Sequence, residues 1–215
     1  MNNDLRLVAS APVIEEIKEI VFQTPLGYET GVALFGMPVG SPSDKRRRFV
    51  VLAVAGPGPR ATHETSRYSS DTAYTSAIYR ALKSALPSIG WLGEIHLHPA
   101  GMTWLSSGDR QTIRQLLAGT AGGTVRPHEF IAGVMQRKAD GLDIHPVFFD
   151  RARLGGVPLP IEHVSSSDEV VRKARDLAAS DPVPEPLTES SPEPTPLQSS
   201  WWRTPFTIFH RSKKL

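Results

Sequence analysis

Cysteine is absent from the chain, which excludes disulfides and thiolate metal sites and leaves the redox compartment undetermined. No run of about twenty apolar residues exists, which rules out a spanning helix. The first ten residues, MNNDLRLVAS, lack the apolar stretch of a signal peptide. One-sided charge is missing too: 24 basic against 22 acidic side chains leave a formal net charge of +2, which demands neither nucleic acid nor an anionic membrane. The expectation is a cytoplasmic protein with no nucleic-acid and no membrane partner. Against these absences stand 215 residues with 40% hydrophobic content, enough for one ordinary domain plus extensions.

Taken in order, residues 5–9 alternate as a short strand, read as an edge. Ser10 stands at an N-cap position, Pro12 suits a first helical turn, and Glu15 and Glu16 are read where the helix dipole favours acids. Val13, Ile14, Ile17, Ile20 and Val21 form one apolar helix face ending near Thr24-Pro25. A strand is predicted over 31–37, then a loop ending in Lys45-Arg46-Arg47-Arg48, read as a solvated basic turn. Phe49 to Ala55 reads as a buried strand and Asp71 to Ala85 as a helix stopped by Pro87 and Gly90. Two further strands, 130–136 and 143–149, form a hairpin, with His128 and His145 as surface or strand histidines. Residues 151–166 read as a connection, and Ser167 to Ala179 as a helix capped by Ser166-x-x-Glu169. This alternation predicts an α/β (α+β) fold, a mixed central sheet flanked by helices.

The densest chemistry lies in residues 91–109. His96 and His98 are two apart at the end of a strand-forming stretch, so both imidazoles project to one face. Seven residues later comes Ser106, and two residues after that Asp109. Two neutral imidazoles and one carboxylate are the ligand set of an open catalytic zinc site. Ser106-x-x-Asp109 ahead of Ile113, Leu116 and Leu117 is also a capping-box pattern, so a structural reading stands beside the metal one.

The pattern His96-x-His98, seven residues, Ser106, two residues, Asp109 resembles the JAMM signature of the JAB/MPN metallopeptidase family, and Gly93-Glu94-Ile95-His96-Leu97-His98-Pro99 resembles its bacterial branch. That family adds an upstream glutamate in a Glu-x-Gly-x-x-Leu-x-Gly context, matched here by Glu29, Gly31, Leu34 and Gly36. The resemblance spans roughly residues 5–150. It implies a single JAB/MPN-like domain over 1–160, with Zn²⁺ on His96, His98 and Asp109, Glu29 as general base and Ser106 on the developing oxyanion. It also implies peptide or isopeptide cleavage after the C-terminal glycine of a ubiquitin-like protein. Glu94 is read either as orienting a ligand or as structural. A protease for a sulfur-carrier protein, a RadC-like protein and a metal-free MPN scaffold are the alternative readings.

Past the predicted helix at 161–180 the composition changes. Residues 181–199 are rich in Pro, Ser, Thr and Glu and read as a disordered linker. Residues 200–215 hold Trp201, Trp202, Phe206 and Phe209 among basic residues. This aromatic tail is a candidate for docking on its own domain or on activating- or conjugating-type enzymes.

Overall fold

The computed structural model describes residues 4–180 apart from 42, 43, 45, 66, 99–101 and 121–126. The linker and tail predicted over 181–215 lie outside the described residues, as does Lys45. Ten strands and four helices follow in the order β1 (Arg6–Ser10), α1 (Ala11–Gln23), β2 (Thr30–Val39), β3 (Arg48–Ala55), β4 (Thr62–His63), β5 (Tyr68–Ser69), α2 (Thr72–Ala85), β6 (Gly90–Leu97), α3 (Ser107–Ala118), β7 (Glu129–Lys138), β8 (Gly141–Asp150), β9 (Val157–Pro158), β10 (Ile161–Val164) and α4 (Glu169–Ala179).

Eight strands form one mixed sheet in the order β10-β1-β3-β2-β6-β7-β8-β9, while β4 and β5 form a separate small hairpin. The two edge strands, β9 and β10, are joined only by Leu159 and Pro160. Such a short link forces the sheet to curl until its edges approach, and Leu7 N–H donates to Pro160 O while Leu159 N–H donates to Pro146 O across the seam.

Side-chain alternation sorts the strands into two faces. Leu7, Ala9, Val32, Leu34, Phe49, Val51, Ile95, Leu97, Ile131 and Met135 pack with Val13, Ile14, Ile17 and Val21 of α1. The opposite face carries the other three helices. There Leu105, Ile113, Leu116 and Leu117 from α3 and the loop before it cover Phe130, Ala132 and Val134. Val171 and Ala174 of α4 lie on Val8 and Val50, and Ala178 joins the cluster containing Phe35 and Tyr79. No helix among the described residues is long and apolar enough to cross a membrane.

Several local readings are corrected by long-range packing. β1 is not an edge: it lies between β3 and β10, parallel to both. The expected connection at 151–166 supplies that partner, because Ile161–Val164 pairs with Leu7–Ser10. Arg47 is not a solvated turn residue. It is buried, ion-paired with Glu129 and stacked over Phe49 at 5.0 Å, while Arg48 pairs with Glu162. Ser10 occupies the cap position of α1 without a side-chain capping bond, and the first turn holds no acid. Glu15 instead binds Lys18. Helix α4 is capped by Asp168, whose carboxylate accepts Val170 N–H, not by Ser166.

Candidate metal centre

The alternation that sends Ile95 and Leu97 toward α1 necessarily sends Glu94 and His96 to the other face, and His98 just past the strand end follows. His98 is held in line by its N–H donating to Met135 O. On β2 the same rule, with Val32 and Leu34 inward, places Gly31 and Glu29 on the histidine face. Gly31 pairs with His96 and Thr30 with Leu97, so Glu29 arrives level with the end of the histidine strand. Helix α3 closes this face from above, with Asp109 in its first turn.

Capping and clustering are one arrangement here. Ser106 Oγ accepts Asp109 N–H at 3.1 Å, and Asp109 Oδ2 accepts Ser106 N–H at 2.7 Å, a complete capping box. The same Oδ2 lies 3.6 Å from His96 Nε2 and 3.7 Å from His98 Nε2. The two imidazoles stand 4.4 Å apart between ring centres with their Nε2 atoms turned toward each other. All three residues are buried.

This donor set fits a metal ion. Among the described residues, His96, His98 and Asp109 form a group whose ligand atoms all lie within 4.8 Å of one another. Donors bound at 2.0–2.1 Å to one tetrahedral ion stand about 3.3 Å apart, close to the nitrogen–oxygen separations here. Asp109 Oδ1 is buried with no hydrogen-bond partner, a vacancy a cation satisfies. Burial pushes the Asp109 carboxyl up. The hydrogen bond and charge of His96, with the hydroxyl and N–H of Ser106, outweigh that and hold it at about 2. It is therefore ionised and ready to coordinate at any physiological pH.

Glu29 is buried, and among the described residues no hydrogen bond lowers its carboxyl as Ser106 and His96 lower that of Asp109. Desolvation pushes it up to about 7, with His96 pulling down and Asp109 adding repulsion. Its backbone is fixed by the β4–β5 hairpin: Glu29 N–H donates to Glu64 O at 2.9 Å, and His63 Nδ1 lies 2.8 Å from Glu29 O. The sequence reading missed His63 and Tyr68, which sit in two-residue strands too short for any periodic signal. Glu94 is buried beside Tyr68, with Oε1 unpartnered, and desolvation likewise raises it to about 7.

The upstream motif is also a packing motif. A Cβ on Gly31 would stand 2.3 Å from the Tyr68 ring and 3.0 Å from Glu94 Oε1, and one on Gly36 would stand 1.9 Å from Val50 O. Leu34 is fully in the core. Of the predicted site residues, the structure thus gathers His96, His98, Asp109, Ser106 and Glu29 at one end of the sheet. His128 and His145 are exposed and stand outside the cluster.

Comparison with protein families and with curated proteins finds no match. Among solved structures the chain is similar in fold to protein DSY2949 from Desulfitobacterium hafniense, determined in solution. The TM-score is 0.53 at 15% identity, over 74% of this chain and 93% of that one.

Proposed function

We propose that the chain is a JAMM-type zinc metallopeptidase, cleaving peptide or isopeptide bonds after the C-terminal glycine of a ubiquitin-like protein. The observation that carries the reaction class is the buried His96–His98–Asp109 cluster with a second buried carboxyl, Glu29, near enough to feel the charges of His96 and Asp109. The substrate class rests on the motif resemblance.

His96, His98 and Asp109 would hold the zinc ion, which would supply Lewis acidity for a carbonyl and for the ionisation of a water. Glu29, buried where it feels the charges of His96 and Asp109, accepts a proton from water and returns it to the leaving amine; its raised value of about 7 belongs to the metal-free protein, and a bound cation would lower it. Ser106 Oγ uses a lone pair to accept Asp109 N–H, which leaves its own O–H to donate to a developing oxyanion. The positive end of the α3 dipole lies at the same place and favours negative charge there.

The test is metal analysis of protein purified without chelators, paired with cleavage of a ubiquitin-like protein extended past its terminal glycine. One zinc per chain and chelator-sensitive cleavage are expected. Protein free of zinc, or cleavage indifferent to chelator, refutes the proposal.

A further inference from the structure

A groove of about 760 Å³ opens between α1, α2 and the turn after β3, lined by Ile20, Pro25, Tyr28, Val54, Tyr74 and Ile78. Tyr28 and Tyr74 line it, and Phe22 and Leu26 lie on the α1–β2 stretch with Tyr28, outside that lining. Phe22, Leu26, Tyr28 and Tyr74 are 50%, 81%, 42% and 38% exposed, and all belong to the α1–β2 stretch or to the first turn of α2. Large exposed apolar patches mark binding surfaces.

We infer that this groove is the docking site of the chain's own aromatic segment, residues 201–209. Three observations select that occupant. The first is composition: Trp201, Trp202, Phe206 and Phe209 fall within nine residues of a chain with 7% aromatics, and each large aromatic buries about 150–250 Å² on docking.

The second is reach. Ser180, where the described chain ends, is tied to the far end of α2, because Ser88 Oγ–H donates to Ser180 O at 2.7 Å. Tyr74 lies at the near end of α2, eleven residues before Ala85, or about 17 Å along the helix. The linker from 181 to 199 holds nineteen residues, six of them proline, and at about 3.1 Å per residue when extended it reaches on the order of 60 Å, well beyond that separation. The segment can therefore be delivered to the groove within the same chain.

Charge is the third. Residues 200–215 contain Arg203, Arg211, Lys213 and Lys214 and no acid. Glu16 is the one Asp, Glu, Lys or Arg side chain among those lining the groove, while Glu15 elsewhere on α1 is already paired with Lys18. A second groove of about 620 Å³ beneath Trp104 is lined by one base and one acid, Arg110 and Asp143, and so offers a basic segment no net attraction. Seated in the first groove, the segment lies against Tyr28 and His63, directly beside the backbone of Glu29.

The lack of cysteine makes the test direct. A single Ser200→Cys substitution in the full chain carries a nitroxide, and amide signals are compared with the label oxidised and reduced. The expected result is loss of signal at residues 20, 28, 54, 74 and 78, undiminished when excess unlabelled chain is added. The loss should disappear in Tyr74→Glu, a surface change, and in Trp201→Ala/Trp202→Ala, while β7 and β8 signals stay in place. Loss confined to residues 144–147 and 158–163, loss abolished by dilution with unlabelled chain, or no loss anywhere would each overturn the inference. The readout needs neither metal nor turnover, so it stands apart from the peptidase proposal.

Discussion

Glu29→Gln separates the demands of chemistry from those of folding. Glu29 is 2% exposed as a residue, and its carboxyl is raised to about 7, chiefly by desolvation. A carboxyl with a raised folded pKa costs nothing below its unfolded value, and the cost grows as pH climbs through the folded one. In metal-free protein, wild-type stability should therefore fall between pH 4.5 and about 7 by an amount traceable to this residue. Discounted for screening by nearby solvent, that amount is about 1–2 kcal/mol at pH 8. Glutamine is neutral throughout and nearly the same shape, so the variant escapes the penalty. For a domain of this size the gain corresponds to roughly 3–6 °C in melting temperature. The assay is thermal unfolding of chelated wild type and variant at pH 5 and pH 8. The difference between the two proteins cancels the titrating groups that do not interact with Glu29, leaving Glu29 with its neighbours His96 and Asp109. Stabilisation at pH 8 but not at pH 5, together with at least about a 100-fold loss of turnover in the zinc form, is the expected pair of results. A variant no more stable than wild type at pH 8, or equally stabilised at both pH values, refutes the assignment of a buried, strained carboxylate.

Asp109→Asn keeps an oxygen to accept Ser106 N–H but loses the charge, so metal affinity should fall on the order of 100-fold or more by competition titration, with the apo-protein folded. Ser106→Ala, in contrast, should retain metal and lose about 1 kcal/mol of stability in urea unfolding, the worth of an N-cap. Asp71 caps α2 and is held below the usual carboxylate range by Arg60. Asp71→Ala should cost about 1 kcal/mol at pH 7, and because its pKa is depressed the difference from wild type should vanish as pH falls through the carboxylate range. Gly36→Ala places a Cβ 1.9 Å from Val50 O, a backbone atom, and should destabilise by about 2–3 kcal/mol. Gly31→Ala, which meets the Tyr68 side chain, should cost less in the same unfolding assay.

What the sequence by itself determined is whatever depends on neighbours within a turn or a strand. The helices over Ala11–Gln23, Thr72–Ala85 and Ser107–Ala118 were legible from apolar spacing and flanking breakers. The parity of Glu29 and Gly31 against Val32 and Leu34, and of Glu94, His96 and His98 against Ile95 and Leu97, already placed each set on one face. The capping box of Ser106 and Asp109 was equally local, and the same carboxylate that completes the cap stands beside His96, so capping and proximity to the histidines coexist. Only the tertiary structure decided what pairs across long separations. β1 became interior because Ile161–Val164 returned to it, about 150 residues later, and neither strand's composition encodes that partner. Arg47 was buried because Glu129 and Phe49 were waiting for it, a circumstance invisible in a run of four basic residues. The hairpin that fixes Glu29 through Glu64 and His63 consists of two-residue strands, which no periodicity can reveal. The desolvation of Glu29 arises in the same way. A pKa follows from what surrounds a group in three dimensions, and the chain assembles those surroundings from segments that lie far apart along it.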